Sequence, residues 1–213
     1  MPENSPETES RQDRRKRLTR RSLIDAAMKV FSEKSVEDTT VRDITETADV
    51  AYGTFYNYFD SVEDIVPDVA LEMLSAHGRS VAEIAQSFDD VASIAAINVR
   101  ALFIRILPDA TLKWLAGRPH SMVSALEAVL TDHSTATVQR GVEEGRFKLV
   151  GSRENMRSLL LWGFVGLWDK AWKSGGDYKQ VVDDVSLMYL RILGLTDEDA
   201  VEVLAKLPEP YKY

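Results

Sequence analysis

Apolar residues recur along this chain at spacings of three and four, and nowhere do they alternate long enough to build a strand. The spacing predicts an all-α fold of nine or ten helices. The first begins inside the basic run 11–21 and ends near Lys34. It buries Leu23, Ile24, Ala27, Met28 and Phe31 in one stripe, with Lys29 and Glu33 outside. Thr40 is the N-cap of a second, short helix, and Asp43 stands at the capping-box position. Val41, Ile44 and Ala48 share a face of it. Asp49-Val50-Ala51 then breaks the pattern, with Val50 as the apolar plug of a tight corner. From Tyr52 a further helix turns Phe55 and Phe59 inward. It sets Thr54, Asn57 and Tyr58 on the opposite face, flanked by Tyr52 and Tyr56. Two short helices around a three-residue corner make a helix-turn-helix, whose second helix fits a DNA major groove.

Past this corner the pattern stays helical. Ser61 caps a fourth helix, with Asp64 at its capping-box position and Pro67 inside it as an expected kink. Residues 91–107 are apolar almost all round, which predicts a central buried helix closed by Pro108-Asp109. A short helix at 111–116 is stopped by Gly117-Arg118-Pro119. A long one at 121–144 points Met122, Val123, Leu126, Val129 and Leu130 inward and ends at Gly145. Ser152 caps the next, which runs to Gly175-Gly176. Asp177 opens another, and Thr196 starts a short last piece. The chain thus divides into a disordered basic arm (1–18), a helix-turn-helix domain (19–66) and a larger helical domain (67–213), for which a family resemblance implies effector binding and dimerisation.

Composition narrows the class. A chain of 213 residues, 45% hydrophobic and 28% charged, is built like a soluble globular protein. It has no cysteine, so it carries no disulfide or zinc-thiolate site, and a reducing cytoplasm fits. The start MPENSPETES has no apolar core for a signal peptide, and no run is long enough to span a bilayer. The net charge of −8 argues against nucleic acid, but its distribution does not. Between Arg11 and Arg21 seven basic residues oppose a single Asp13, and local charge decides contact with phosphate. His77, His120 and His133 are dispersed, and neither a glycine-rich phosphate loop nor a nucleophile elbow is present. No enzyme activity, metal or cofactor is expected.

The run 24–65 resembles the N-terminal domain of the tetracycline-repressor (TetR) family of bacterial regulators. The likeness rests on Ala27 and Phe31, on Thr39 to Ile44, on Ala48-Asp49-Val50, on Gly53-Thr54 and on Tyr56 with Phe59. Asp49 stands where the family usually has a turn glycine, Ala51 replaces the usual hydroxyl cap, and Tyr52 replaces a common lysine. Within this frame Thr54, Asn57 and Tyr58 are candidates for base edges: asparagine pairs with adenine, and threonine or an aromatic meets the thymine methyl. Tyr56 and Thr40, with Arg42, are candidates for phosphate, Tyr52 for stacking or a further phosphate, and Gly53 completes the DNA-binding set.

In the remainder, Asn98, Arg100 and Arg105 interrupt an apolar helix. They read either as satisfied or snorkelling polar groups or as anchors for an effector's polar end. Asn98, Arg100, Phe103, Trp114 and Trp162 are the ligand-binding candidates. Gly163 and Gly166 leave room for a close helix, with Leu159, Trp162 and Leu167 around them and Val181, Val185, Met188, Tyr189 and Ile192 on the next helix. The resemblance implies a homodimer joined through these last two long helices. It also implies a ligand-responsive regulator, a repressor leaving a pseudo-palindromic operator when a small, largely apolar effector moves the fourth helix. The competing reading is a helical ligand-binding or scaffold protein whose DNA-binding head has lapsed; Asp49, Tyr52 and the acidic total charge motivate it.

Overall fold

Helix caps set most of the element boundaries. The computed structural model describes residues 10–106, 109–174, 178–209 and 211–212. Among these residues all regular structure is helical, and the chain divides into two units between Val69 and Ala70.

In the first unit Ser10 is the N-cap of α1 (Arg11–Glu33): its hydroxyl accepts from the Asp13 amide at 3.1 Å and donates to the Asp13 carboxylate at 2.6 Å. An acid in the first turn also offsets the exposed amides of the helix start. Residues 11–18, expected as a disordered arm, are therefore the opening turns of α1; the rest of that arm lies outside the described residues. Next come α2 (Val41–Thr47), α3 (Tyr52–Phe55) and the start of α4 (Val62–Ala85). Leu23, Ala27, Phe31, Ile44, Phe55, Phe59, Ile65 and Val69 close a small core. The Ser61 hydroxyl accepts from the Asp64 amide, as the spacing predicts, and Pro67 lies within α4 with an exposed ring.

The second unit holds the rest of α4, then α5 (Val91–Ile106), a 3₁₀ segment (Ala110–Gly117), α6 (Pro119–Glu143), α7 (Arg153–Ser174), α8 (Tyr178–Ile192) and α9 (Asp197–Ala205). All four tryptophans of the chain lie in this unit. The short helix expected at 111–116 is thus a 3₁₀ turn, and α6 starts two residues early because Pro119 suits the first helical position. Gly145 and Gly194 end their helices at φ of 70° and 96°, where a side chain would be strained. Ser152 and Thr196 cap α7 and α9. The boundaries expected at Pro108 and at 175–177 fall outside the described residues. α5 packs on α6, α8 and α9, with Ala92, Ala96, Ile97, Ala101 and Phe103 fully buried.

Arg100, also on α5, is only 2% exposed. Its guanidinium donates to Asp183 at 2.8 Å, to the Ser186 hydroxyl at 3.4 Å and to the Lys212 carbonyl at 2.8 Å; Lys179 donates to the other Asp183 oxygen. Of the two readings open to it, this is the paired core charge, with Nε alone lacking a partner among the described residues; Arg100 lines neither cavity and is withdrawn from the effector-binding set. Arg105 likewise donates to the Tyr211 hydroxyl, at 3.2 Å.

Breaking a buried pair strands a charge, whereas replacing both partners does not. Asp183→Ala should therefore lower stability by about 3–5 kcal/mol. Asp183→Leu combined with Arg100→Met should recover most of that loss. Urea unfolding of the two variants checks this; equal destabilisation would show that the charges themselves matter little.

Candidate nucleic-acid interface and effector cavity

The corner between α2 and α3 is built from local chemistry. Thr40 and Asp43 form the full capping box: the Asp43 amide donates to the Thr40 hydroxyl, while the Thr40 amide donates back to the Asp43 carboxylate at 2.7 Å. The Lys34 ammonium, followed by the Thr40 hydroxyl and amide, holds the Asp43 carboxyl down at about 2. At the corner itself Asp49 adopts φ 52°, the left-handed conformation that Asp tolerates better than most side chains. The Val50 amide donates to the Thr45 carbonyl at 3.0 Å, which closes the turn. From α1, Arg20 lies over the Phe59 ring at 5.1 Å and pairs with Asp68 at 2.7 Å. Arg20 thereby serves the packing of this unit.

The recognition segment is shorter as an α-helix than its pattern suggests. α3 spans four residues, and Ala51 offers it no side-chain cap. Beyond it the Asn57 and Tyr58 amides donate to Thr54 and Phe55, three residues back, so the segment tightens into turns up to Phe59. Tyr52, Gly53, Tyr56 and Asn57 are exposed, and Thr54 and Tyr58 half-buried. The Tyr52 and Tyr56 hydroxyls are 3.1 Å apart, with the rings edge to face. That hydrogen bond raises the Tyr56 phenol above its ordinary value, so the Tyr56 hydroxyl stays protonated at neutral pH. Arg42 is exposed on α2. Thr40 is exposed too, but its hydroxyl donates to Asp43 at 2.6 Å and its amide is also taken. It has no donor left for a phosphate, and its place is structural. On α1, residues 11–17 are exposed and offer Arg11, Arg14, Arg15, Lys16 and Arg17.

The second unit contains a cavity of about 330 Å³ between α5, α6, α7 and α8. Its interior is apolar, from Leu102, Leu126, Leu160, Leu161 and Phe164, and its rim carries Arg153, Glu154, Arg157 and Glu127. Arg157 pairs with Glu127 at 3.2 Å. Tyr189 lines the wall, and burial pushes its phenol up to about 12. A second cavity, of about 370 Å³, lies between α4, α5 and α6.

Of the five effector-binding candidates, Asn98 lines both cavities. Phe103 stands behind the first wall, its ring 4.3 Å from that of Phe164. Trp114 is buried in the 3₁₀ segment and Trp162 is 45% exposed against His120; neither lines a cavity. The α7 lining escapes a reading of the sequence because Leu160, Leu161 and Phe164 look like ordinary core. Val129 and Leu130, expected in the core, are half-buried and line cavities instead.

Comparison with known proteins gives this geometry a context. Residues 23–69 match the model of bacterial regulatory proteins of the tetR family. The HTH-type transcriptional repressor KstR2 of Rhodococcus jostii (strain RHA1) is 27% identical over 187 residues, which cover 82% of this chain and 88% of that protein. The crystal structure of RolR in complex with its ligand resorcinol superposes with a TM-score of 0.75 at 25% identity, covering 92% of this chain and 97% of that one. Thermus thermophilus FadR in complex with lauroyl-CoA shares the fold, with a TM-score of 0.66 at 20% identity over 83% of this chain and 96% of that one.

Two measurements test the interface. Tyr56→Phe removes one exposed hydroxyl and keeps the ring, so DNA affinity should fall by about three- to tenfold with thermal unfolding unchanged. Unaltered affinity would strike Tyr56 from the phosphate-binding groups. Replacing Arg11, Arg14 and Arg15 with alanine should flatten the dependence of log affinity on log salt, by about 0.9 for each phosphate that is no longer neutralised. A slope equal to that of the native protein would leave the basic turns as a solvated extension.

Proposed function

We propose that this chain, a member of the TetR family of bacterial regulators, grips a pseudo-palindromic operator as a homodimer and releases it when a largely apolar effector fills its helical body. The protein is a ligand-responsive DNA-binding repressor and not an enzyme. The observation that carries the proposal is the pairing, in one chain, of a helix-turn-helix unit with a second unit that carries an apolar cavity. The cavity volume lies within the range of about 300–1,000 Å³ usual for small-molecule sites. The relatives' ligands, resorcinol and lauroyl-CoA, both combine an apolar body with polar atoms. The left-handed Asp49 and its intact corner favour an active head over a lapsed one.

The dimer is supported by an open face on the last two long helices. Leu159 is 64% exposed, Trp162 45% and Met188 51%, and a Cβ built on Gly163 or Gly166 would meet nothing within 4 Å. Val181, Val185 and Ile192 are half-buried beside them. Tyr189, which the pattern put on this face, lines the cavity instead. Two heads joined this way would read half-sites about 34–36 Å apart. An effector that favours another head separation defeats simultaneous docking, and only its preference between the two states matters. α4 is the element common to both units, and we assign it the coupling.

Selection of bound duplexes from a random pool, followed by gel shift, tests operator binding; recovery of no two-fold motif would sink the reading. Gly166→Arg tests the dimer. Since a side chain at Gly166 meets open space within one chain, the variant should stay fully helical. It should sediment as a monomer and lose cooperative operator binding. A well-folded dimer would move the interface elsewhere.

A further inference from the structure

We infer that the effector is a two-part molecule, with a polar acyl head in the first cavity and an apolar tail that passes Asn98 and Leu130 into the second cavity, against α4. This deepens the reading of the chain as a ligand-responsive repressor and rests on it. The two cavities have Asn98 and Leu130 as common walls, so they adjoin at one point of α5 and one of α6. Each alone is at the small end of ligand sites, whereas together they suit an elongated ligand.

The polar groups say what the head must be. The half-buried Asn98 side chain has no hydrogen-bond partner among the described residues, and it faces both cavities from a largely buried helix. The Tyr189 hydroxyl also lacks one, and burial keeps it protonated as a donor. Arg153 and Arg157 add guanidinium donors at the rim, and the acids Glu127 and Glu154 balance their charge. Unused donors next to a neutral rim call for an acceptor oxygen. A carbonyl supplies one in a carboxylic acid or in its ester. The second cavity takes the tail along Val81, Ala85, Phe88, Ile94 and Val129, while Gln86, Thr137 and Arg140 also line it.

The second cavity is also where occupancy would be felt by α4. Gly78 of α4 faces Val129 of α6 so closely that a Cβ on Gly78 would stand 2.5 Å from the Val129 methyl. Both residues line that cavity. A tail entering there bears on the seam between α4 and α6, whereas a head alone in the first cavity does not reach it. Tail length, more than head affinity, therefore governs release.

The test uses the full-length protein, with octanoate and hexadecanoate as probes below their critical micelle concentrations. Operator binding without probe is measured first, and probe binding is followed separately by calorimetry. Hexadecanoate should bind at least about tenfold more tightly than octanoate and should release DNA, while saturating octanoate should not. Ala82→Phe and Ala136→Phe, made singly, narrow the second cavity from α4 and from α6. Each should weaken hexadecanoate by about tenfold and leave octanoate within about twofold. Methyl hexadecanoate separates the two head types: affinity equal to the acid supports the carbonyl alone, and about tenfold weaker binding supports a carboxylate held by the rim arginines. Equal affinities for the two chain lengths, native hexadecanoate binding in both variants, or no binding of either probe would overturn the inference. A protein that binds its operator yet ignores both probes loses this inference and keeps the broader reading. One that binds hexadecanoate but no DNA does the reverse.

Discussion

A helix that is apolar on nearly every side exists in water only if other helices cover it. α5 imposes that condition on the second unit. α6, α8 and α9 meet it over most of the surface, and the cavities lie beside Ile94, Asn98 and Val99, where cover is incomplete. Burial near 25 cal/mol per Å² drives the helices together, but side chains of fixed shape cannot close every gap around a cylinder. The binding space is thus a by-product of the burial that holds the body together. Arg100 shows the other side of this condition. A charge on the covered face survives because Asp183, Ser186 and a main-chain carbonyl surround it.

The first unit solves a different problem, since its helices are too short to stand alone. A helix of seven residues and one of four have little intrinsic stability in water. The capping box on α2, the left-handed Asp49 and Arg20 between Phe59 and Asp68 hold them in place. Each device is local or bridges adjacent elements. The recognition segment is therefore held by its neighbours, and its outer face is free to vary. The exposed Tyr52–Tyr56 pair, at a position where the related family usually has lysine, is an instance of that freedom.

What is legible in the sequence divides along the same line. The caps at Thr40, Ser61, Ser152 and Thr196 can be read because both partners lie within three residues of one another. The inward turn of Phe55 and Phe59 follows from a four-residue spacing. The partner of Arg100 cannot be read, because Asp183 is 83 residues away and nothing nearby announces it. Trp162, a cavity candidate by sequence, is exposed, since aromatic bulk is equally suited to a core, a pocket or an interface. The start of α3 without a capping oxygen is visible at Ala51, but its early end is not, because the tightening at Asn57 and Tyr58 depends on backbone geometry that periodicity does not encode.

The placement of the tryptophans divides the molecule spectroscopically. The head contains Tyr52, Tyr56 and Tyr58 but no indole, while Trp114, Trp162, Trp168 and Trp172 all belong to the body. Emission excited at the red edge of the indole band therefore reports the body alone. Within it the four fluorophores stand in unlike surroundings, with Trp168 fully buried and Trp162 open to solvent. An aqueous quencher spares the former and reaches the latter only while the outer face of α7 is uncovered, so one native sample carries separate optical signals for the interior and for the face assigned to the dimer.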